Sequence, residues 1–201
     1  MLKVGLTGGL ASGKTHVARL LQDLGCHVIQ ADQLGHEVLQ RGGEAYDDVV
    51  REFGPHILAP EGEVDRKALG RIVFADPARL ATLNSLVHPH VFRRQEEFFA
   101  QIARNDSQGI AVVEAAIMIE SGSHRRYDRL VLTVCPPDIQ IRRFMERDGA
   151  TEEEARRRLA RQMPLEEKRK FADYVIETSG TKEETRRQTR EVYQRLRAEA
   201  S

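Results

Sequence analysis

Short apolar runs alternate along the chain with longer stretches in which apolar residues recur every three or four positions. The runs cover residues 2–7, 27–31, 109–115, 130–135 and 174–177 and are rich in Val and Ile, which predicts strands. The first run is almost wholly apolar, as expected of a central parallel strand covered on both faces. Helical spacing follows it at once in Val17, Ala18, Leu20, Leu21 and Leu24. Strands separated by helices predict an α/β fold, a parallel sheet with helices on both faces. On this reading the second strand lies beside the first.

The stretch 33–107 is too long for a simple crossover and predicts helices near 45–53, 66–74 and 78–103. Pro89 is expected to break or kink the last of them. A further helix opens at Pro136-Pro137 and runs to about Arg147. Thr151 followed by Glu154 predicts a capping box for the next one. The closing helix, from Lys182 to about Glu199, reads as a solvated surface helix.

Between the first strand and the first helix stands Gly8-Gly9-Leu10-Ala11-Ser12-Gly13-Lys14-Thr15. This is the phosphate-binding P-loop pattern in its strand–loop–helix context, which makes the fold P-loop NTPase-type. Glycines let the backbone approach phosphates, and successive N–H groups form an anion-binding concavity. The helix adds its positive end. Lys14 reaches the β- and γ-phosphates of ATP, and the Thr15 hydroxyl is placed to ligate Mg²⁺. A plain Gly-rich turn has no need of a Lys-Thr pair at this offset.

Composition narrows the picture further. The 201 residues, 40% hydrophobic, suffice for one main domain with an insertion. A formal net charge of +0 argues against nucleic acid as a partner. No apolar run is long enough to span a membrane and the N-terminus leads straight into a strand, so a cytoplasmic location is expected. Cys26 and Cys135 are isolated and read as small buried hydrophobes.

Asp32 follows the second strand. In open α/β sheets ligands bind beyond the carboxyl ends of strands, where an Asp can take the proton of an attacking hydroxyl. The alternative is a cap for a helix starting near Gln33. Glu114 closes the third strand and reads as a Walker-B-type carboxylate touching Mg²⁺ directly or through water. Glu120, farther on, reads as a contact to the acceptor or to backbone. Arg143 and Arg147 share one helix face, as do Arg157 and Arg161 on the next. Guanidinium forks match phosphate oxygens, so these helices read as a lid that stabilises charge and excludes water. Glu152–Arg156 and Glu153–Arg157 equally fit exposed i,i+4 pairs. His88-Pro89-His90 is a weak metal signal. His88 reads as an acceptor-binding or a structural histidine.

Taken in order, these residues resemble the dephospho-CoA kinase family over nearly the whole chain. The resemblance rests on Gly5-Leu6-Thr7-Gly8-Gly9, Ala31-Asp32, Asp65-Arg66, Val73-Phe74, His88-Pro89, Glu120-Ser121-Gly122, Gln140 with Arg143, Arg147-Asp148-Gly149, Gln162, Lys168 and Ala172-Asp173. It implies ATP-dependent phosphorylation of the ribose 3′-hydroxyl of dephospho-CoA, the last step of coenzyme A biosynthesis, with Mg²⁺. It implies Asp32 as base, Lys14 and Arg143 as phosphate-stabilising residues, and ATP contacts from residues 8–15 and Arg147. Acceptor contacts would come from His88, Glu120 and Arg161. Three parts are implied: a nucleotide-binding core (1–32, 108–140, 172–201), a CoA-binding insertion (33–107) and a lid (141–171), in a monomer or weak homo-oligomer. The chain departs from the family pattern at Gln30, at Glu114 and Ala116, and at Thr178. Two other readings compete. One is a nucleoside monophosphate kinase. The other is a GTP-dependent switch, for which the guanine-specifying Asn-Lys-x-Asp is absent.

Overall fold

All five apolar runs become strands of one parallel sheet: β1 (Leu2–Gly8), β2 (His27–Gln30), β3 (Ile110–Glu114), β4 (Arg129–Val134) and β5 (Tyr174–Glu177). The helices are α1 (Lys14–Asp23), α2 (Ala31–Leu39), α3 (Tyr46–Phe53), α4 (Arg66–Ala75), α5 (Pro77–Asn105), α6 (Pro137–Asp148), α7 (Glu152–Ala160), α8 (Leu165–Arg169) and α9 (Lys182–Glu199). In this computed structural model, which describes residues 1–200, the chain divides into two compact units. One joins Met1–Gln30 to the chain from Phe99 onward, and the other is Ala31–Phe98.

The first unit holds the sheet, in the order β2-β3-β1-β4-β5. β1 is central, with Leu6 opposite Glu114 of β3 and Gly8 opposite Thr133 of β4. The expectation that β2 lies beside β1 is therefore wrong: β3 stands between them. Burial gives the reason. Every residue of β3 is buried, so it takes an interior place, whereas His27 and Gln30 of β2 are exposed and β2 takes an edge.

One core cluster joins Val4 and Leu6 of β1 to Val17, Ala18 and Leu21 of α1 and to Val192 and Leu196 of α9. The closing helix is thus not solvated all round: Thr185, Thr189, Val192 and Leu196 form a buried stripe. Its start carries the complete capping box, in which Thr181 and Glu184 bond each other's backbone. At Thr151 only half of the expected box forms. The Thr151 hydroxyl accepts from Glu154 N, while the Glu154 carboxylate takes Arg158 at 3.0 Å instead. Both cysteines are buried and unbridged, and burial pushes the Cys26 thiol up to about 12.

In the second unit Leu34, Val38, Val49, Phe53, Ile57, Leu69, Val73, Val87 and Val91 are buried. Asp65 caps α4 by accepting from Lys67 N and Ala68 N. Arg94 clamps α2 to the following turn through Glu37 at 2.7 Å and Glu44 at 2.8 Å, and Arg93 adds a second bond to Glu44 at 3.0 Å. Pro89 does not break α5, which continues through it to Asn105. A proline removes one hydrogen bond from a ladder that here extends for three turns on either side. No helix among the described residues is long and apolar enough to cross a membrane.

Candidate active site

β1 ends at Gly8 and α1 begins at Lys14, so the loop between them is set by those two elements. Gly13 sits at φ +84° and its carbonyl accepts the first helical bonds, from His16 and Val17. A left-handed N-cap of this kind favours glycine. No acidic residue occupies the first turn of α1, so no side-chain carboxylate of that turn offsets the helix's N-terminal dipole. Gly8 is required for a different reason. A Cβ there would run into the Thr133 and Ser12 hydroxyls and lie 2.7 Å from the Thr133 carbonyl.

Long-range bonds brace the loop. The Ser12 and Thr133 hydroxyls are 2.8 Å apart. The Thr178 hydroxyl donates to the Ser12 carbonyl at 2.9 Å, and Arg143 in turn donates to Thr178 Oγ1 at 3.3 Å and to its carbonyl at 2.6 Å. Gln140 donates through Nε2 to the Cys135 carbonyl, while its buried Oε1 faces Gly9 with no partner. A cavity of about 730 Å³ opens beside Gly9, between the end of β4, α6, the end of α7 and residues 162–166.

The candidate residues fall into two groups. Lys14 belongs to the loop, where Nζ donates to the Gly9 carbonyl at 2.8 Å and the Gly8 carbonyl at 3.4 Å. Thr15 donates to Glu114 Oε1 at 2.9 Å. That contact puts a hydroxyl and a carboxylate oxygen side by side beneath the loop. Two hard oxygen donors suit Mg²⁺, which binds through one or two carboxylates plus substrate phosphates rather than through an all-protein cage. Among the described residues no group of three or more His, Cys, Asp or Glu is arranged to hold a metal ion. Arg143 reaches the loop through Thr178.

Arg147 is engaged by its neighbour Asp148, at 3.0 and 2.8 Å, and lies 5.7 Å from the Phe144 ring. Arg157 is 65% exposed and 3.8 Å from Glu153, as the i,i+4 reading expects. Arg161 is the exposed C-cap residue of α7. Glu120 accepts from Met163 N at 3.1 Å and pairs with Lys168 at 2.9 Å. Asp32 and His88 belong to the second unit. Asp32 lies in the first turn of α2, two residues past the end of β2, rather than capping a helix that starts at Gln33. His88 packs at 5.7 Å from Phe92, and burial lowers its pKa, which favours the neutral imidazole.

Sequence reasoning gave no role to three residues here. Thr178 stood out only as a departure from a pattern, yet it braces the loop. Lys168 stood out only among the residues of the family resemblance, with no role attached, yet its side chain is fully buried. His16 follows Thr15 with Nε2 buried and unpartnered. Burial lowers its pKa, helped by Lys182, Arg186, Arg19 and Arg143. Only its place next to the motif hinted at it.

The chain is similar to known proteins over nearly its whole length. The profile of the dephospho-CoA kinase family matches residues 2–184. A dephospho-CoA kinase of Geobacillus kaustophilus is 44% identical over 93% of this chain and 92% of its own length. That of Aquifex aeolicus is 38% identical over 98% of both. Among solved structures, a Thermus thermophilus protein superposes with a TM-score of 0.84 at 33% identity, covering 97% of each chain. The Campylobacter jejuni dephospho-CoA kinase gives 0.73 at 26% identity over 99% of this chain and 98% of its own. A shikimate kinase of Acinetobacter baumannii, at 0.52 and 19% identity over 99% and 94%, shares the fold. The phosphate loop, the carboxylate beneath it and these full-length likenesses converge, and the chain belongs to the dephospho-CoA kinase family.

Proposed function

We propose that the chain carries out its family's reaction, moving the γ-phosphoryl group of ATP to the ribose 3′-hydroxyl of dephospho-CoA, with the residues in the following roles. The observation that carries the reading is the loop of residues 8–15 with Thr15 bonded to Glu114. Backbone amides of the loop and α1 hold the phosphates. Lys14 exchanges its bonds to the Gly8 and Gly9 carbonyls for phosphate oxygens. Thr15 and Glu114 are the residues that would hold Mg²⁺, which would supply positive charge against the phosphates. Arg143 commits two of its five N–H groups to Thr178 and keeps the rest for transition-state charge.

Asp32 is the general base. The 3′-oxygen attacks the γ-phosphorus, its proton passes to the Asp32 carboxylate, and the bond from the γ-phosphorus to the bridging oxygen breaks to leave ADP. The unit Ala31–Phe98 holds the acceptor, with His88 among its contacts, and residues 141–171 form a lid that keeps water from the phosphoryl group.

Turnover of ATP by the purified chain with dephospho-CoA, AMP or dTMP tests the assignment. Product is expected with dephospho-CoA alone. Phosphorylation of a monophosphate and none of dephospho-CoA overturns it. Asp32→Asn should keep ATP binding and lose about 10²–10⁴-fold in kcat, the usual worth of a general base. Near-normal turnover would reduce Asp32 to a helix-terminus residue.

A further inference from the structure

Among the described residues Lys168 is the one fully buried lysine, and its ammonium joins three parts of the first unit. From α8 it donates to the Ala116 carbonyl at 3.0 Å and pairs with Glu120 Oε1 at 2.9 Å. The same Ala116 carbonyl accepts from Thr7 Oγ1 of β1 at 3.3 Å. The same Glu120 oxygen accepts from Met163 N, in the turn between α7 and α8. Ala116 stands two residues beyond Glu114, and between them Ala115 N donates to the Leu6 carbonyl at 3.0 Å. The chain leaving Glu114 is thus pinned twice, first by β1 and then by Lys168.

A buried charge is expensive, and a buried ion pair is weak evidence of stabilisation. Apolar residues of similar volume often serve stability as well or better. The cost needs another reason, and the position supplies one. We propose that Lys168 is a positioning residue. It fixes the backbone behind Glu114 so that the carboxylate stays against Thr15, and it ties the α7–α8 turn to that same backbone through Glu120. With its side chain fully buried, it acts through the groups it bonds. This rests on the reading of Glu114 as a divalent-cation ligand. Groups standing behind a metal ligand typically change cation affinity about 10- to 100-fold when removed.

The experiment measures Mn²⁺ binding directly, by the paramagnetic resonance signal of free Mn²⁺, in the presence of a non-hydrolysable ATP analogue. Thermal melting is recorded alongside for Lys168→Met, Lys168→Met/Glu120→Met, Glu114→Gln and the parent chain. Lys168→Met should weaken Mn²⁺ binding about tenfold, the low end of that range. The double variant should recover the melting temperature, because the stranded carboxylate is gone, and leave Mn²⁺ binding weak. Glu114→Gln should weaken it at least as much. Normal Mn²⁺ binding in both Lys168 variants, with Glu114→Gln impaired, overturns the positioning role alone. Normal binding in Glu114→Gln overturns the ligand reading and the positioning role with it. Should Lys168→Met fail to fold, Glu120→Gln takes its place, since it keeps the acceptor oxygen and removes the charge. A smaller weakening is then expected, and none overturns the proposal.

Discussion

The phosphate loop and the arginine-rich segment of α7 and α8 both looked functional, and the structure treats them in opposite ways. The loop has little net side-chain charge, yet its hydroxyls and one carbonyl are aimed by distant partners: Ser12 by Thr133, Thr15 by Glu114, the Ser12 carbonyl by Thr178. The segment is dense in charge, yet most of that charge is spent locally. Arg156, Arg157 and Arg158 each face the glutamate four residues earlier, at the surface. Exposed pairs of this kind contribute little to stability. Lys168 is the exception within the segment, and it is the residue whose charge is buried against partners far along the chain. Aim and burial, rather than the number of charges, separate machinery from solvated surface.

The largest test of that contrast is Lys14→Ala. Loss of a preorganised charge donor should cost about 10²–10³-fold in kcat/KM, read by steady-state kinetics, with little change in melting. Retained activity would undo the account of the loop. Gly8→Ala should act through packing, because its Cβ would meet Thr133 and Ser12. A stability loss of about 1–3 kcal/mol is expected from overpacking, read by denaturant melts, together with weaker ATP binding. Thr178→Ala removes the hydroxyl that bonds the Ser12 carbonyl and receives Arg143, and should cost about 0.5–1.5 kcal/mol. If melting falls and KM for ATP holds, the brace is structural only.

Two smaller effects sharpen the surface side of the comparison. Glu44 lies in the fork of Arg94 and Arg93, and the Arg94 bond holds its pKa down to about 2. Its folded value lies below the unfolded one, so its stabilisation is complete above about pH 4.5 and fades as pH falls toward 2. Glu44→Gln should flatten the pH dependence of melting in that window by lowering the melting temperature modestly in the neutral range, where the stabilisation is complete, and changing it least near pH 2. Arg157→Ala should do least, shifting stability by no more than about 0.5 kcal/mol. A large loss of turnover there would return the α7 arginines to the site.

The strands, the phosphate loop and most helices were legible because their signals are local. Apolar spacing, a glycine at a left-handed position and a Lys-Thr pair at the start of α1 all lie within a few residues of one another. Misreadings arose where a local rule met a competitor. Glu154 could complete the box with Thr151 or pair with Arg158, and it pairs with Arg158.

By itself the sequence determined the α/β class, the position of the loop and, through Thr15 and Glu114, the oxygen donors beneath it. A parallel sheet needs apolar strands, and a phosphate cradle needs glycines and a helix start, whatever surrounds them. Tertiary structure alone decided that β3 separates β2 from β1, that Thr178 braces a loop 166 residues away, and that Lys168 is buried against a carbonyl 52 residues away. A charge can enter a core only where partners from other elements replace its water. No run of neighbouring residues records which partners those are.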